Sequence, residues 1–496
     1  MRRSLIAGFL LSAFLFPLSL LAQDFGFGFD EDRDAPSSPI SVQTGGKVQG
    51  ELLGYFEDFD SEREQKLTSL GDIFSGNLNF SASGANVDAF INLNISPLSL
   101  EELGDGSLTN SVYAPQLLDE AYLRAFFGPV NIEAGLRKLA WGKADSLGPL
   151  DVVNPLDYSD LTGITDSMSM KIARPLVHVS WGMGDTSKLE AVFIPNFAAH
   201  RFAREGRWTP DAFSGIPEQF RDGIGNRFTE RFSAHPYYNL ILAGIRNADL
   251  SSFAFTSDLL PDTRGIEYAQ AGLRFTSTFG PADVGMQYFY GNLFRPTISL
   301  DGVDAFLDDL VANLPAQNLD LLVPQLTYNR YHQIGVDYAQ VLLGFNLRAE
   351  FAAHITEDLS GDDGRINNPF LAWSVGFDRD LFWGINANVQ CGETIRLLND
   401  KVGDNPVFDA EAGLDITATR LTVQLSKKFL RDNLEIKAVN IWDIEDMDIY
   451  FIPSIVWTVK DVKAELSGGI LAGKEGGELS QYYRNCFIKT GLSYSF

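Results

Sequence analysis

Five histidines, His178, His200, His235, His332 and His354, are the first residues to weigh for chemistry, because an imidazole can serve as base, acid or metal ligand near neutral pH. None belongs to a GxSxG elbow, an HExxH helix or another spaced catalytic motif. The two cysteines, Cys391 and Cys486, fall on separate strand-like runs and on the apolar face of each, where neither makes a metal site or a disulfide framework. No catalytic residue, cofactor or metal is therefore expected, and a hydrolase stands only as a second alternative. The stronger chemistry is electrostatic. Alternation puts Glu120, Tyr122 and Arg124 on one face of a run, Glu133 and Arg137 on the next, then Arg174 and His178, then Tyr268, Gln270 and Arg274, and later Asn346, Arg348 and Glu350. Such mixed-sign ladders can brace a sheet through cross-strand pairs worth about 0.2–1 kcal/mol each. They can also set a transverse field that orients polar solutes.

A further group is arginine without lysine. Residues 196–264 carry Arg201, Arg204, Arg207, Arg221, Arg227, Arg231, Arg246 and Arg264 against Glu205, Asp211, Glu218, Asp222, Glu230, Asp249, Asp258 and Asp262, eight against eight. Guanidinium favours bidentate pairing, with those acids or with a carboxylate or phosphate on a solute. The matched numbers favour salt bridges that fix the segment. The spacing of Arg201, Arg204 and Arg207 points them one way on a helical turn.

The elements that must position these side chains repeat with period 2. From Gly45 to Phe496, alternation in runs of 10 to 15 residues is the signature of strands with one apolar face, and helical periodicity is almost absent. Ile385, Ala387, Val389 and Cys391 oppose Asn386, Asn388, Gln390 and Gly392; Leu421, Val423 and Leu425 oppose Thr422, Gln424 and Ser426. Cys486, Ile488, Leu492 and Tyr494 oppose Asn485, Lys489, Gly491 and Ser493. About 18 runs are expected, starting near 44, 72, 85, 116, 130, 170, 187, 265, 282, 327, 343, 368, 382, 407, 432, 446, 461 and 482. Short links such as Gly128-Pro129, Gly184-Asp185 and Gly280-Pro281 follow the even-numbered runs, and long loops follow most odd-numbered ones. That segregation is how transmembrane barrels are built, with short turns on the periplasmic side. The expected fold class is therefore all-β, a transmembrane antiparallel β-barrel of about 18 strands, 16 being the alternative, with long extracellular loops partly folded into the lumen.

Composition agrees. The chain has 496 residues, of which 45% are hydrophobic and 21% charged, and beyond the N-terminus no run approaches the ~20 apolar residues of a spanning helix, which excludes a helical transporter. Sixty-five acids against 39 bases give a net charge of −26, which argues against nucleic acid as a partner. Residues 1–22, from Met1-Arg2-Arg3 through an apolar run to Ala22, read as a signal peptide, and 23–43 as a flexible periplasmic lead-in before a single barrel over 44–496. No plug-sized segment precedes the first strand, which argues against energy-coupled uptake. The last strand ends in Tyr494 and Phe496, an alternation of the kind read as an assembly signal by the barrel assembly machinery. Trp141, Trp181, Trp373, Trp383, Trp442 and Trp457 fall near strand ends, as aromatic girdles require.

At 16 to 18 strands a barrel leaves an aqueous lumen, so function depends on what narrows it. In the loop 142–169, Asn154-Pro155-Leu156-Asp157 reads as a helix start, with Asn at the cap and Pro at the first helical place. Here the chain resembles a large family of poorly characterised proteobacterial outer-membrane barrels. In that family a strand ending like Leu136-Arg137-Lys138 leads through Trp141-Gly142 into a loop bearing Asn154-Pro155-Leu156-Asp157. The resemblance covers about residues 133–160 and implies location and fold; several members are described as porin-like. Residues 301–314 place Val303, Phe306, Leu307, Leu310 and Val311 at helical spacing, a short amphipathic helix on the rim.

The expected function is an outer-membrane, porin-like channel for passive diffusion of small polar solutes, anionic or carboxylate-bearing ones included. The main alternative is a barrel for surface display, structural or adhesive. The loop 196–264 is expected to fold into the lumen, where Arg201, Arg204 and Arg207 face Arg137 and Arg174. Arg124, Glu133 and Glu120 line the nearby wall, and Asn154, Pro155 and Asp157 belong to the inward loop. The expected partners are outer-membrane lipid, small polar solutes and the assembly machinery, with a monomer and a homotrimer both open.

Overall fold

The computed structural model describes residues 40–56, 74–96, 117–146, 148–203, 206–248, 261–299, 302–312, 325–403, 409–474 and 476–496. The leader, most of the lead-in and Arg204 lie outside the described residues.

The alternating runs form eighteen strands. They are β1 (Ser41–Tyr55), β2 (Phe74–Ser83), β3 (Val87–Ile95), β4 (Leu118–Phe127), β5 (Val130–Arg137), β6 (Arg174–Met183), β7 (Ser187–Ile194), β8 (Gln270–Phe279) and β9 (Ala282–Asn292). The second half comprises β10 (Arg330–Leu342), β11 (Phe345–Thr356), β12 (Phe370–Asp380), β13 (Ile385–Arg396), β14 (Thr417–Phe429), β15 (Leu434–Asp443), β16 (Asp448–Val459), β17 (Val462–Ala472) and β18 (Phe487–Ser495). Each pairs antiparallel with its neighbours in sequence, and β1 pairs with β18 from Lys47↔Ser495 to Tyr55↔Phe487, which closes the sheet. Closure leaves no edge, so every ladder group has a partner in lipid.

Seventeen strands begin within five residues of the expected positions; the exception starts at Thr417 instead of 407. The preceding acids are taken up by loop packing. Asp409 accepts the Glu411 N–H at 2.9 Å, and Glu411 pairs with Arg396 at 3.1 Å and accepts from the Asn367 amide at 2.9 Å.

The faces follow the alternation. Ile334, Val336, Val375, Leu425, Ile455, Leu466 and Leu492 are exposed on the outside, as a lipid-facing band requires. Trp181, Trp383, Trp442 and Trp457 are exposed as girdle residues should be, and the Trp373 indole donates to Glu393 at 2.7 Å. Trp141 corrects the expectation. It is buried inside the barrel, edge-on to Phe289 with ring centroids 6.4 Å apart. Cys486 is also corrected: it precedes β18, and its sulfur accepts the Leu471 N–H at 3.3 Å instead of facing lipid from a strand.

Besides the single turn Ser167–Met170, three helices interrupt the loops among the described residues: α1 (Asp211–Phe232), α2 (Tyr238–Arg246) and α3 (Val303–Ala312). Phe220, Ile224 and Phe228 of α1, Ile241 and Ile245 of α2, and Val303, Leu307 and Leu310 of α3 share one apolar core with Ile298 and Leu326 of a short hairpin. The amphipathic helix expected over residues 301–314 is α3, and it completes this helical module. Arg227 and Arg231 cross to it, pairing with Asp304 at 2.9 and 3.0 Å, and Arg231 also with Asp308 at 2.8 Å.

Candidate functional site

The lumen is occupied by the segment between β5 and β6. Asn154 anchors its base, its amide donating to the Arg137 and Ile172 carbonyls at 3.1 and 2.9 Å while its oxygen accepts the Leu139 N–H at 2.7 Å. The Pro155 carbonyl accepts the Ile172 N–H at 2.8 Å. The expected helix start is therefore overturned. Asn154 serves as a buried clamp, and Asp157–Tyr158 form a two-residue strand parallel to Arg201–Phe202. The caps lie further on, where Asp160 and Asp166 accept from Thr162 N and Ser169 N.

On one side the loop docks through apolar packing. Leu139, Trp141, Val152 and Val153 bury against inward residues Leu176, Val192, Ile194, Phe289 and Tyr331 of β6, β7, β9 and β10. The wall makes room for them with glycine: a Cβ on Gly272 would lie 2.7 Å from the Trp141 ring. On the other side the docking is polar. Glu350 on β11 accepts the Ala144 N–H at 2.7 Å, the Lys143 N–H and, at 3.4 Å, the Leu150 N–H. Gln390 on β13 accepts from Asp145 N and Ser146 N at 3.0 and 3.1 Å, and Asn388 donates to Asp145 at 2.8 Å. Gln287 and Gln333 donate to the Leu150 and Pro149 carbonyls at 2.8 and 2.7 Å. Arg348 bridges Asp145 and Asp378. Gly142, at φ +94°, takes a conformation that favours glycine, and a Cβ there would collide with the Glu350 carboxylate.

Most wall residues singled out from sequence do face inward. Glu133 is a hub, pairing with Arg124 at 2.6 Å and Arg137 at 2.7 Å, with His178 Nδ1 at 2.9 Å; His178 Nε2 is 3.3 Å from Glu190. Arg137 also lies over the Tyr122 ring at 4.4 Å. Glu120 accepts the Lys138 N–H at 2.9 Å. Arg274 pairs with Asp337 at 2.5 Å, whereas Tyr268 sits in a turn ahead of β8 and is not a strand residue.

Of the five arginines expected to face one another, Arg204 lies outside the described residues and the others have separate partners. Arg137 goes to Glu133, Arg174 donates to the Asn196 side chain at 2.6 Å, and Arg201 pairs with Asp157 at 2.9 Å. Arg207 lies over the Tyr55 ring at 4.6 Å, and Arg201 is in a strand, so the helical-turn spacing does not apply. The described part of residues 196–264 therefore divides into a stem that docks inside and a helical part that packs with α3. Leu161, Trp208, Leu479 and Tyr482 join inward Val439, Ile441, Tyr450, Ile452, Leu471 and Phe487 in an apolar cluster covering the wall of β15–β18.

Loop groups show the electrostatic cost of this packing. His200 is driven down to about 3 by burial and by the Arg295 charge, and its Nδ1 accepts the Leu156 N–H at 2.9 Å. Burial pushes the Asp151 carboxyl up, opposed by Lys171 at 2.6 Å.

Sequence reasoning missed Gln287, Gln333 and Asp337 as anchors, although the inward phase of β9 and β10 would have indicated them. It also missed Lys47, Lys437 and Lys463, whose inward phase is equally regular.

The closed barrel, its apolar exterior and its aromatic girdle define an integral membrane barrel of the bacterial outer-membrane class. Phe496 exchanges backbone hydrogen bonds with Gly46 at 3.0 Å, and its ring stacks near Tyr494 on the outer surface, centroids 6.3 Å apart. Among solved structures, the chain is similar to Acinetobacter baumannii OccAB4, at 8% identity and TM-score 0.46 over 93% of this chain and 99% of that one. It is also similar to a BenF-like porin from Pseudomonas fluorescens, at 9% identity and TM-score 0.45 over 92% and 98%. A third likeness is to Escherichia coli Wzi, described as a carbohydrate-binding outer-membrane barrel, at 10% identity and TM-score 0.43 over 91% and 84%. No protein-family model and no curated protein matches.

Proposed function

We propose that this protein is an outer-membrane, porin-like channel for passive diffusion of small polar solutes, with a preference for anionic, carboxylate-bearing ones. The observation that carries the reading is the loop 142–169, held inside an 18-stranded barrel by apolar docking on one wall and by Glu350, Gln390, Gln287 and Gln333 on the other. A loop fixed on both sides narrows a lumen without closing it by chance motion. The charge preference rests on Lys47, Lys437, Lys463 and Lys489 facing inward in a protein at −26, Arg396 and Arg420 being paired with Glu411 and Asp443. Under this reading residues 1–22 are a removed signal, and Arg124, Arg137 and Glu133 set the field beside the constriction.

Planar-bilayer recording of the purified protein tests this. Replacing residues 143–148 by two glycines should raise single-channel conductance at least twofold; an unchanged step would remove the loop from the pore. The helical module, with its own core, favours surface display as the second reading. A protein that assembles but carries no current would support it.

A further inference from the structure

We infer that the part of the lumen wall of β15–β18 and β1–β4 next to the short turns, beyond the apolar cluster, is a binding track for hydroxylated carboxylates, a sugar acid being the simplest example. The inference rests on the channel reading and deepens it. Three kinds of side chain meet along this wall. Lys47, Lys437, Lys463 and Lys489 all face inward and are half-buried. Glu465 lies in the field of Lys437, Lys463 and Lys489, and Lys47 in that of Lys463 and Lys489 and of Glu51 and Glu465. Among the described residues only Lys463 of the four has an ion pair, 2.8 Å from Glu465. Four positive charges against Glu51, Glu435 and Glu465, which share the inward phase, leave a local excess of one in a protein at −26. Lysine ammonium groups left without a carboxylate partner are free to take one from a solute.

The second kind is amide. Lys47 is the register partner of Asn77, Asn77 of Asn94, and Asn79 of Asn92. Asn77 donates to Asn94 at 3.1 Å and contacts Asn92, while Asn79 has no side-chain partner among the described residues. An amide offers donor and acceptor together, as a hydroxyl does, so a row of amides matches neighbouring hydroxyls. The third is aromatic. Phe90 and Tyr122 face inward side by side, centroids 5.3 Å apart and tilted by 40°, next to Asn92 along β3. A half-exposed ring suits the apolar face of a pyranose. A bare anion needs only the lysines, and a neutral sugar only the amides and rings. The wall carries all three in continuous register.

Ligand-observed NMR titration of the detergent-purified full chain at low salt tests this with D-glucuronate, D-glucose and acetate. Glucuronate should bind at least tenfold tighter than either. The double variant K47Q/K489Q should weaken glucuronate at least tenfold, and N92L should weaken glucuronate but not acetate, with heat-modifiable gel migration confirming that each variant assembles. Equal binding of acetate and glucuronate, no binding of glucuronate, or undiminished affinity in K47Q/K489Q would overturn the inference. Because binding is read without current, the channel reading is separable. Glucuronate binding without conductance leaves the track and removes the channel, and conductance without binding does the reverse.

Discussion

Glu350 on β11 and Ala144 in the inward loop are 206 residues apart in the chain and 2.7 Å apart in space, the carboxylate accepting the amide N–H. The same carboxylate takes the Lys143 and Leu150 amides, so one side chain turns the loop. Glu350→Ala leaves three donors unpaired at about 1–3 kcal/mol each where they stay buried. Larger, noisier single-channel currents are expected, with Glu350→Gln intermediate because it keeps one acceptor oxygen. Wild-type current traces from Glu350→Ala would show that the loop does not depend on this contact.

The facing of β13 and β14 is testable by chemistry. Cysteine at Gln424 or Asn388 should react with a membrane-impermeant thiol reagent, and cysteine at Val389 or Val423 should not, in a background where Cys391 and Cys486 are replaced by Ser. Reversed reactivity would mean a one-residue register slip, which exchanges the two faces.

Trp141 is buried against Phe289 where Gly272 leaves space. Trp141→Ala should cost about 3–5 kcal/mol of loop docking, the range for a buried large-to-small change. Gly272→Val should expel the same ring. Both should lower the temperature at which the folded band converts on gels, and both should speed hydrogen exchange at Leu139 and Val153.

The pH dependence follows from His200. Its folded value of about 3 lies below the ordinary value near 6.5, so the undocked loop binds a proton that the docked loop refuses. Docking is therefore at full strength above about pH 6.5 and weakens by up to about 1.4 kcal/mol per unit as pH falls toward 3. Channel noise should rise between pH 6 and 4, and His200→Gln should flatten that rise. Equal acid sensitivity in His200→Gln would place the titrating group elsewhere.

The barrel was legible because alternation is dictated by the two solvents a strand separates, lipid and lumen, and eighteen strands repeat it. Turn residues such as Gly128-Pro129 marked the short end. What was not legible came from the loops. Trp141 resembles a girdle residue in sequence because only three-dimensional docking turns it inward. Asn154-Pro155 carries a helix-start signal that tertiary contacts override, the amide being consumed by strand ends at Arg137, Leu139 and Ile172. The helix α1 was hidden by Gly215, Pro217, Gly223 and Gly225, although Phe220, Ile224, Phe228 and Phe232 keep a four-residue spacing. Which acid each arginine would choose was not readable either. The helices bring Asp304 and Asp308 to Arg227 and Arg231 from a separate loop.

The central claim is that the barrel conducts anions through a lumen narrowed by the loop 142–169. Reversal potential under a tenfold KCl gradient, recorded from purified protein in a planar bilayer, tests it most directly. Discrete current steps are expected, with a potential of the sign set by chloride that shifts toward cation preference in K47Q/K489Q and collapses toward zero selectivity at high salt, where the field is screened. Absence of steps from a heat-modifiable, assembled protein, or a cation-selective potential in the wild type, would contradict it.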